Sequence, residues 1–201
     1  MNIAKLLELK IPLVLASKSP RRIQLLENLG FNFKFIDADV DESIDTEIPP
    51  EAYCIHLSWL KAEKVSSMLD YEALVIGADT IVVLDEMIIN KPQDKTEAVK
   101  FLSELSGATH QVYTGITLMN SKDKNWITDY QKTNVTFRIL SVDEIEAYVE
   151  SGSPMDKAGA YGIQDDFGAV FVRNIEGCYY NIVGLPLELL YSSIKKFTER
   201  I

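Results

Sequence analysis

The chain of 201 residues reads as an α/β protein with a mixed β-sheet and flanking helices. Two observations predict this. In the first half, apolar strand-like runs alternate with amphipathic helical segments, the pattern of parallel strands joined by helices. In the second half, two long stretches, His110–Met119 and Asn125–Ile139, alternate in polarity and flank the polar turn 120–124, which is the pattern of paired strands. A length of 201 residues suits one sizeable domain or two small lobes, and no internal repeat or low-complexity segment divides it.

The first element is Ile3–Leu9, a short amphipathic helix. Leu13–Gly30, LVLASKSPRRIQLLENLG, follows as a buried strand, a polar loop and a helix. Ser19 suits the N-cap and Pro20 the first helical position, and Gly30 closes the helix. Arg21 and Arg22 then occupy the first turn, at the positive end of the helix dipole, where acids are preferred. They are either a solvated surface pair or donors for an anion held at the helix N-terminus. Asn32–Ile36 reads as a second strand. The acidic run Asp37, Asp39, Asp41, Glu42, Asp45 and Glu47 is either a solvated surface or a source of one or two metal-binding carboxylates. Pro49 and Pro50 start a helix to about Leu69, on which Lys61 reads as an ordinary exposed lysine.

Ala73–Leu84, ALVIGADTIVVL, reads as two apolar strands flanking Gly77–Thr80. Asp79 therefore lies near a buried sheet, where an ionised carboxylate needs a cation or metal as partner. Asp85-Glu86 forms a hairpin tip, with the chain returning through Met87–Asn90. Lys91 sits on the connector to a helix that starts with a capping-box-like Asp94 and Glu97, runs through Leu105 and ends at Gly107. Ser141 with Glu144 opens another capped helix, closed by Gly152. In Asp156–Gln164, DKAGAYGIQ, two glycines allow either a tight core bend or close approach to a ligand, and Gln164 carries both donor and acceptor for a base edge. Two strands, Ala169–Arg173 and Tyr179–Val183, and a helix from Pro186 through Phe197 complete the chain.

Composition narrows the function classes. A net charge of −10 excludes binding of a nucleic-acid polymer by general electrostatics, so a basic loop on this chain suits a small anion. Cys54 and Cys178 read as free thiols, and His56 and His110 lack metal-ligand spacing. No signal peptide or membrane span is evident, which predicts a cytoplasmic protein without membrane contact. The P-loop and dinucleotide fingerprints are absent.

Six stretches taken together resemble the Maf family of nucleotide pyrophosphatases: LASKSPRR, the GADT of Gly77–Thr80, Lys91-Pro92, LSGATHQVYTG (Leu105–Gly115), DKAGAYGIQ and VGLPL (Val183–Leu187). The resemblance runs from about Leu13 to Leu190 and implies one domain over 1–201. It implies an elongated mixed sheet with two lobes around a cleft, similar to inosine triphosphate pyrophosphatases. The implied activity is hydrolysis of nucleoside triphosphates to the monophosphate and pyrophosphate with Mg²⁺ or Mn²⁺, and the DKAGAYGIQ form implies the dTTP/UTP branch. Ser17, Ser19, Arg21 and Arg22 resemble the family's phosphate loop, and Lys61 and Lys91 its phosphate-contacting lysines. Asp79 matches the proton acceptor and, with Glu42, the metal ligands. Gln164, Arg21 and Thr80 fall at positions tied to substrate choice.

The family is also linked to septum formation and division arrest, so the competing class is a nucleotide sensor that binds without hydrolysis. A homodimer is left open. Two departures stand out. Ser153-Pro154 replaces the usual Glu-Pro, and Asp165-Asp166-Phe167 follows Gln164 where glycine is usual. The two acids are expected to shift the loop beside the base or to repel a phosphate.

Overall fold

The computed structural model describes residues 3–7, 9–42, 48–165 and 167–199. Asp45, Glu47 and Asp166 of the sequence analysis lie outside them. Among the described residues, strands β1 (Leu13–Leu15), β2 (Phe33–Phe35), β3 (Leu74–Leu84), β4 (Met87–Ile89), β5 (Thr109–Asn120), β6 (Trp126–Phe137) and β7 (Val172–Glu176) form one mixed sheet. Its order is β2-β1-β3-β5-β6-β7, with β4 paired to β3. The chain forms two compact units: Met1–Asp79 with Thr114–Gln131 and Gly184–Ile201, and Thr80–Tyr113 with Lys132–Val183.

In the first unit β1 runs parallel to both β2 and β3, Leu13 facing Phe33 on one side and Leu74 on the other. All three β1 residues are buried, as expected of a parallel strand covered on both faces. The helices of this unit are α1 (Ile3–Leu6), α2 (Pro20–Asn28), α3 (Pro50–Met68) and α7 (Leu187–Thr198). Val14, Ala16, Ala62, Val65, Val75 and Met119 join in one core cluster. Two glycines bring α3 down onto the sheet. A Cβ on Gly77 of β3 would lie 2.0 Å from the Ser58 carbonyl oxygen, and one on Gly115 of β5 would lie 2.3 Å from that of Cys54. Cys54 and Ser58 are one helical turn apart, so the helix contacts backbone directly at successive turns. The Ser58 and Thr117 hydroxyls, 2.8 Å apart, pair within this contact.

The second unit contains the β3–β4 hairpin. Its tip is Asp85-Glu86, both at positive φ (48° and 69°), the backbone a two-residue hairpin turn demands. Helix α4 (Lys95–Leu105) is capped by Asp94, whose side chain accepts from the Glu97 amide at 2.9 Å. Helix α5 (Val142–Glu150) carries a complete capping box between Ser141 and Glu144. Arg138 grips the same Glu144 at 2.6 Å, and those hydrogen bonds hold its carboxyl down at about 2. His110, Phe137, Tyr161, Phe171 and Tyr148 pack edge to face in the core of this unit.

Several elements differ from the sequence reading. Ala73–Leu84 holds one strand of 11 residues, Leu74–Leu84, not two, because Gly77–Thr80 stay extended. Tyr179–Val183 is a short helix, α6, rather than a strand. It is anchored by Asn181, which is fully buried and donates from Nδ2 to the Val112 carbonyl and the Thr133 hydroxyl, both at 2.9 Å. The chain leaves β7 at Gly177 (φ 132°) packed against Thr133, which turns it away from a further strand. Residues 168–171 form a 3₁₀ turn, held by Ala169 N–H donating to the Asp165 carbonyl, so β7 begins only at Val172. The first helix is shorter than expected, and no helix among the described residues is long and apolar enough to cross a membrane.

Candidate active site

In the first unit the site is built on the loop after β1, the middle of β3 and α3. Gly77 and Asp79 are two residues apart on β3 and so face the same side of the sheet. That side is covered by α3, where Lys61 lies one turn beyond Ser58. The close approach at Gly77 therefore sets Lys61 beside Asp79. Lys61 Nζ donates to Asp79 Oδ1 at 2.5 Å and pairs with Glu42 Oε1 at 2.6 Å. The Lys61 side chain is only 12% exposed, contrary to the expectation of an ordinary surface lysine. Periodicity alone does not reveal this, because the aliphatic stem of lysine fits many helix positions.

Asp79 is buried, as its place in an apolar run implied, and its partner is Lys61. Burial pushes its carboxyl above the ordinary carboxylate range. Lys61 and Arg22 pull against that rise and Glu42 adds to it. Glu42 is held from a second side: the Tyr53 hydroxyl donates to its backbone carbonyl at 3.0 Å. Nothing in the spacing of Tyr53 on α3 marks it as the tether of Glu42.

The loop after β1 folds on itself. Ser17 Oγ accepts from the Ser19 amide at 3.2 Å and from Arg22 Nη1 at 3.3 Å. Arg22 also donates from Nε to the Gly184 carbonyl at 2.8 Å. Arg22 is thus not a solvated surface residue. Burial lowers its affinity for a proton, the charges of Asp79 and Glu42 restore part of it, and the charge of Arg21 lowers it further. One correction applies to Ser19. It holds the N-cap position of α2, but its side chain makes no capping bond, because its backbone (φ −59°, ψ 117°) serves the Ser17 turn instead. Asp37, from the acidic run, pairs with Lys18 at 2.6 Å on the surface.

Two carboxylates converging on one ammonium are a suitable protein contribution to a hard divalent cation whose remaining ligands are phosphate oxygens. Among the described residues no three His, Cys, Asp or Glu gather that could hold a metal ion.

The second unit carries the other candidate residues. Thr80 follows Asp79 on β3 and is half-buried, and Lys91 is exposed on the connector before α4. Gln164 is exposed and donates from Nε2 to Asp165 Oδ1 at 3.0 Å. Asp165 in turn belongs to a cluster with Ser153, Tyr148 and the buried Lys157. Its carboxylate faces those donors. The sequence had marked it as an acid expected to shift the loop beside the base or to repel a phosphate.

The first unit thus brings together a buried aspartate, an ammonium that joins it to a second carboxylate, and an arginine at a helix start. The family model described as Maf-like protein matches residues 12–197, and the chain belongs to that family. It is 46% identical over 184 residues to a dTTP/UTP pyrophosphatase of Thermoanaerobacter sp. (strain X514), covering 92% of this chain and 95% of the relative. It is 45% identical over 185 residues to a dTTP/UTP pyrophosphatase of Clostridium perfringens (strain 13 / Type A), covering 92% and 96%. A relative of the same name from Acetivibrio thermocellus is 44% identical over 193 residues, covering 93% and 96%. A solved nucleoside-triphosphatase / dITP/XTP pyrophosphatase from Mycobacterium abscessus is similar only loosely, at TM-score 0.39 and 10% identity over 63% of this chain and 74% of that one.

Proposed function

We propose that this chain is a nucleoside triphosphate pyrophosphatase acting on dTTP and UTP, releasing pyrophosphate and the nucleoside monophosphate. The observation that carries it is the buried Asp79, joined through Lys61 to Glu42, in a chain whose relatives bear that activity in their names. A carboxylate whose proton affinity is raised by burial is suited to take a proton from water. Lys61 fixes its orientation. The attacking water bonds to the α-phosphorus, the bond from that phosphorus to the oxygen bridging the α- and β-phosphates breaks, and pyrophosphate leaves with the bridging oxygen while Asp79 takes the water's proton. Arg21, Arg22, Lys61 and Lys91 supply positive charge to the phosphates, and Ser17 and Ser19 supply hydroxyls. Thr80, Gln164 and Arg21 take the positions tied to substrate choice.

Glu42 and Asp79 would hold a Mg²⁺ or Mn²⁺ ion, which when bound neutralises phosphate charge and polarises the phosphoryl oxygens. The family match crosses both compact units, which supports 1–201 as one functional domain. A cytoplasmic nucleotide-pool role, with an effect on division arrest, agrees with such a substrate.

The test is pyrophosphate release from dTTP, UTP, CTP, dATP, GTP and 7-methyl-GTP with Mg²⁺ or Mn²⁺, alongside Asp79→Asn. Wild type is expected to favour dTTP and UTP, and the variant to fold and lose at least about a hundredfold in turnover. Retention of more than about a tenth of wild-type activity would remove Asp79 from the role of base. Nucleotide-dependent thermal stabilisation with no pyrophosphate release would point instead to a sensor that binds without hydrolysis.

A further inference from the structure

The Asp165 carboxylate is divided between two tasks. Its Oδ2 accepts from Ser153 Oγ at 2.7 Å and from the Tyr148 hydroxyl at 3.2 Å, and lies 3.2 Å from Lys157 Nζ. The Tyr148 hydroxyl itself accepts from the Gly162 amide, so its proton is committed to Asp165. Its Oδ1 accepts from Gln164 Nε2 at 3.0 Å. The cluster is built into the backbone: a Cβ on Gly162 would lie 2.5 Å from Asp165 Oδ2 and 2.7 Å from Lys157 Cε. The charge that looked ready to repel phosphate is thus met by a buried lysine.

An amide whose nitrogen is held at a carboxylate cannot turn its oxygen there, because two acceptors would face each other. The Gln164 oxygen is therefore the atom presented away from Asp165. Uracil and thymine carry an N3–H donor, whereas cytosine carries an acceptor at N3. We propose that Asp165 is a specificity-positioning residue that locks the Gln164 amide with its oxygen outward, so that it accepts from the N3–H of a uracil or thymine base and rejects cytosine. This rests on the reading of the chain as a dTTP/UTP pyrophosphatase.

Asp165→Asn tests it with a sign. Three donors fix an acceptor at the Oδ2 position, so the asparagine oxygen stays there and its NH₂ faces Gln164. Gln164 must then reverse, presenting Nε2 to the base. The expected result is a fall of about tenfold or more in kcat/KM for UTP and an absolute rise of about fivefold or more for CTP. A purely structural defect does not raise CTP turnover. Adding Gln164→Met should abolish the effect of the asparagine on the UTP:CTP ratio. Should Asp165→Asn not fold, Asp165→Ala leaves the amide unheld, and the UTP:CTP ratio is expected to fall to within about threefold of unity without inverting. A UTP:CTP ratio unchanged in the folded variant, or both activities falling by one common factor, would overturn the assignment while leaving the pyrophosphatase reading intact. Failure of wild type to cleave UTP would overturn both.

Discussion

His110 shows how a single buried group couples folding to pH. Its Nε2 meets the Tyr161 hydroxyl at 2.9 Å, its Nδ1 is buried without a hydrogen-bond partner among the described residues, and burial pushes its pKa down to about 4. As pH falls below about 6.5 the unfolded chain takes up a proton that the native chain refuses until about pH 4, so stability is lost across that window, by about 3 kcal/mol. Thermal unfolding between pH 7 and pH 4 measures this, and His110→Phe should flatten the slope. Glu144 acts lower. Its folded carboxyl is held at about 2, so its contribution is complete above about pH 4.5 and is lost as pH falls toward 2. Legibility at this scale followed chemistry. Asp79 stood out because a carboxylate inside an apolar run has few bland explanations. The partners of Lys61, Tyr53 and Asp165 were not legible, because they are set by how elements pack or by a turn that only the folded backbone defines.

At the scale of elements, the contact between α3 and the sheet decides the site. A methyl group at Gly77 meets a backbone carbonyl that no rotamer change can move. Gly77→Ala is expected to destabilise the protein by about 3 kcal/mol, the upper end for overpacking, and to lower turnover by withdrawing Lys61 from Asp79. Chemical denaturation together with pyrophosphate release checks both, and wild-type stability in the variant would refute the contact. Most elements were legible because their signals are local: the capping residues of α4 and α5, the β3–β4 hairpin tip, and the long paired strands β5 and β6. Tyr179–Val183 was not. Five residues are too few to separate a period of 2 from one of 3.6, and the deciding bonds of Asn181 reach β5 and β6.

At the scale of the whole molecule, the net charge of −10 contrasts with the cations gathered near the start of α2. Such a chain is expected to pass through a DNA column at about 50 mM salt without retention, while still binding a nucleoside triphosphate. Retention under those conditions would contradict the exclusion of nucleic-acid polymers. The fold class was legible from the change of rhythm between the two halves of the chain. The boundaries of the two compact units were not, because β3, β5 and β6 each pass from one unit to the other without a break in pattern. The close seating of α3 has one further consequence. Cys54 is fully buried at that contact, and burial raises its thiol to about 12, so it resists alkylation while the helix stays seated. The rate at which it becomes labelled is then a clock for the lifting of α3, and so for the moments when the aspartate and its lysine are parted.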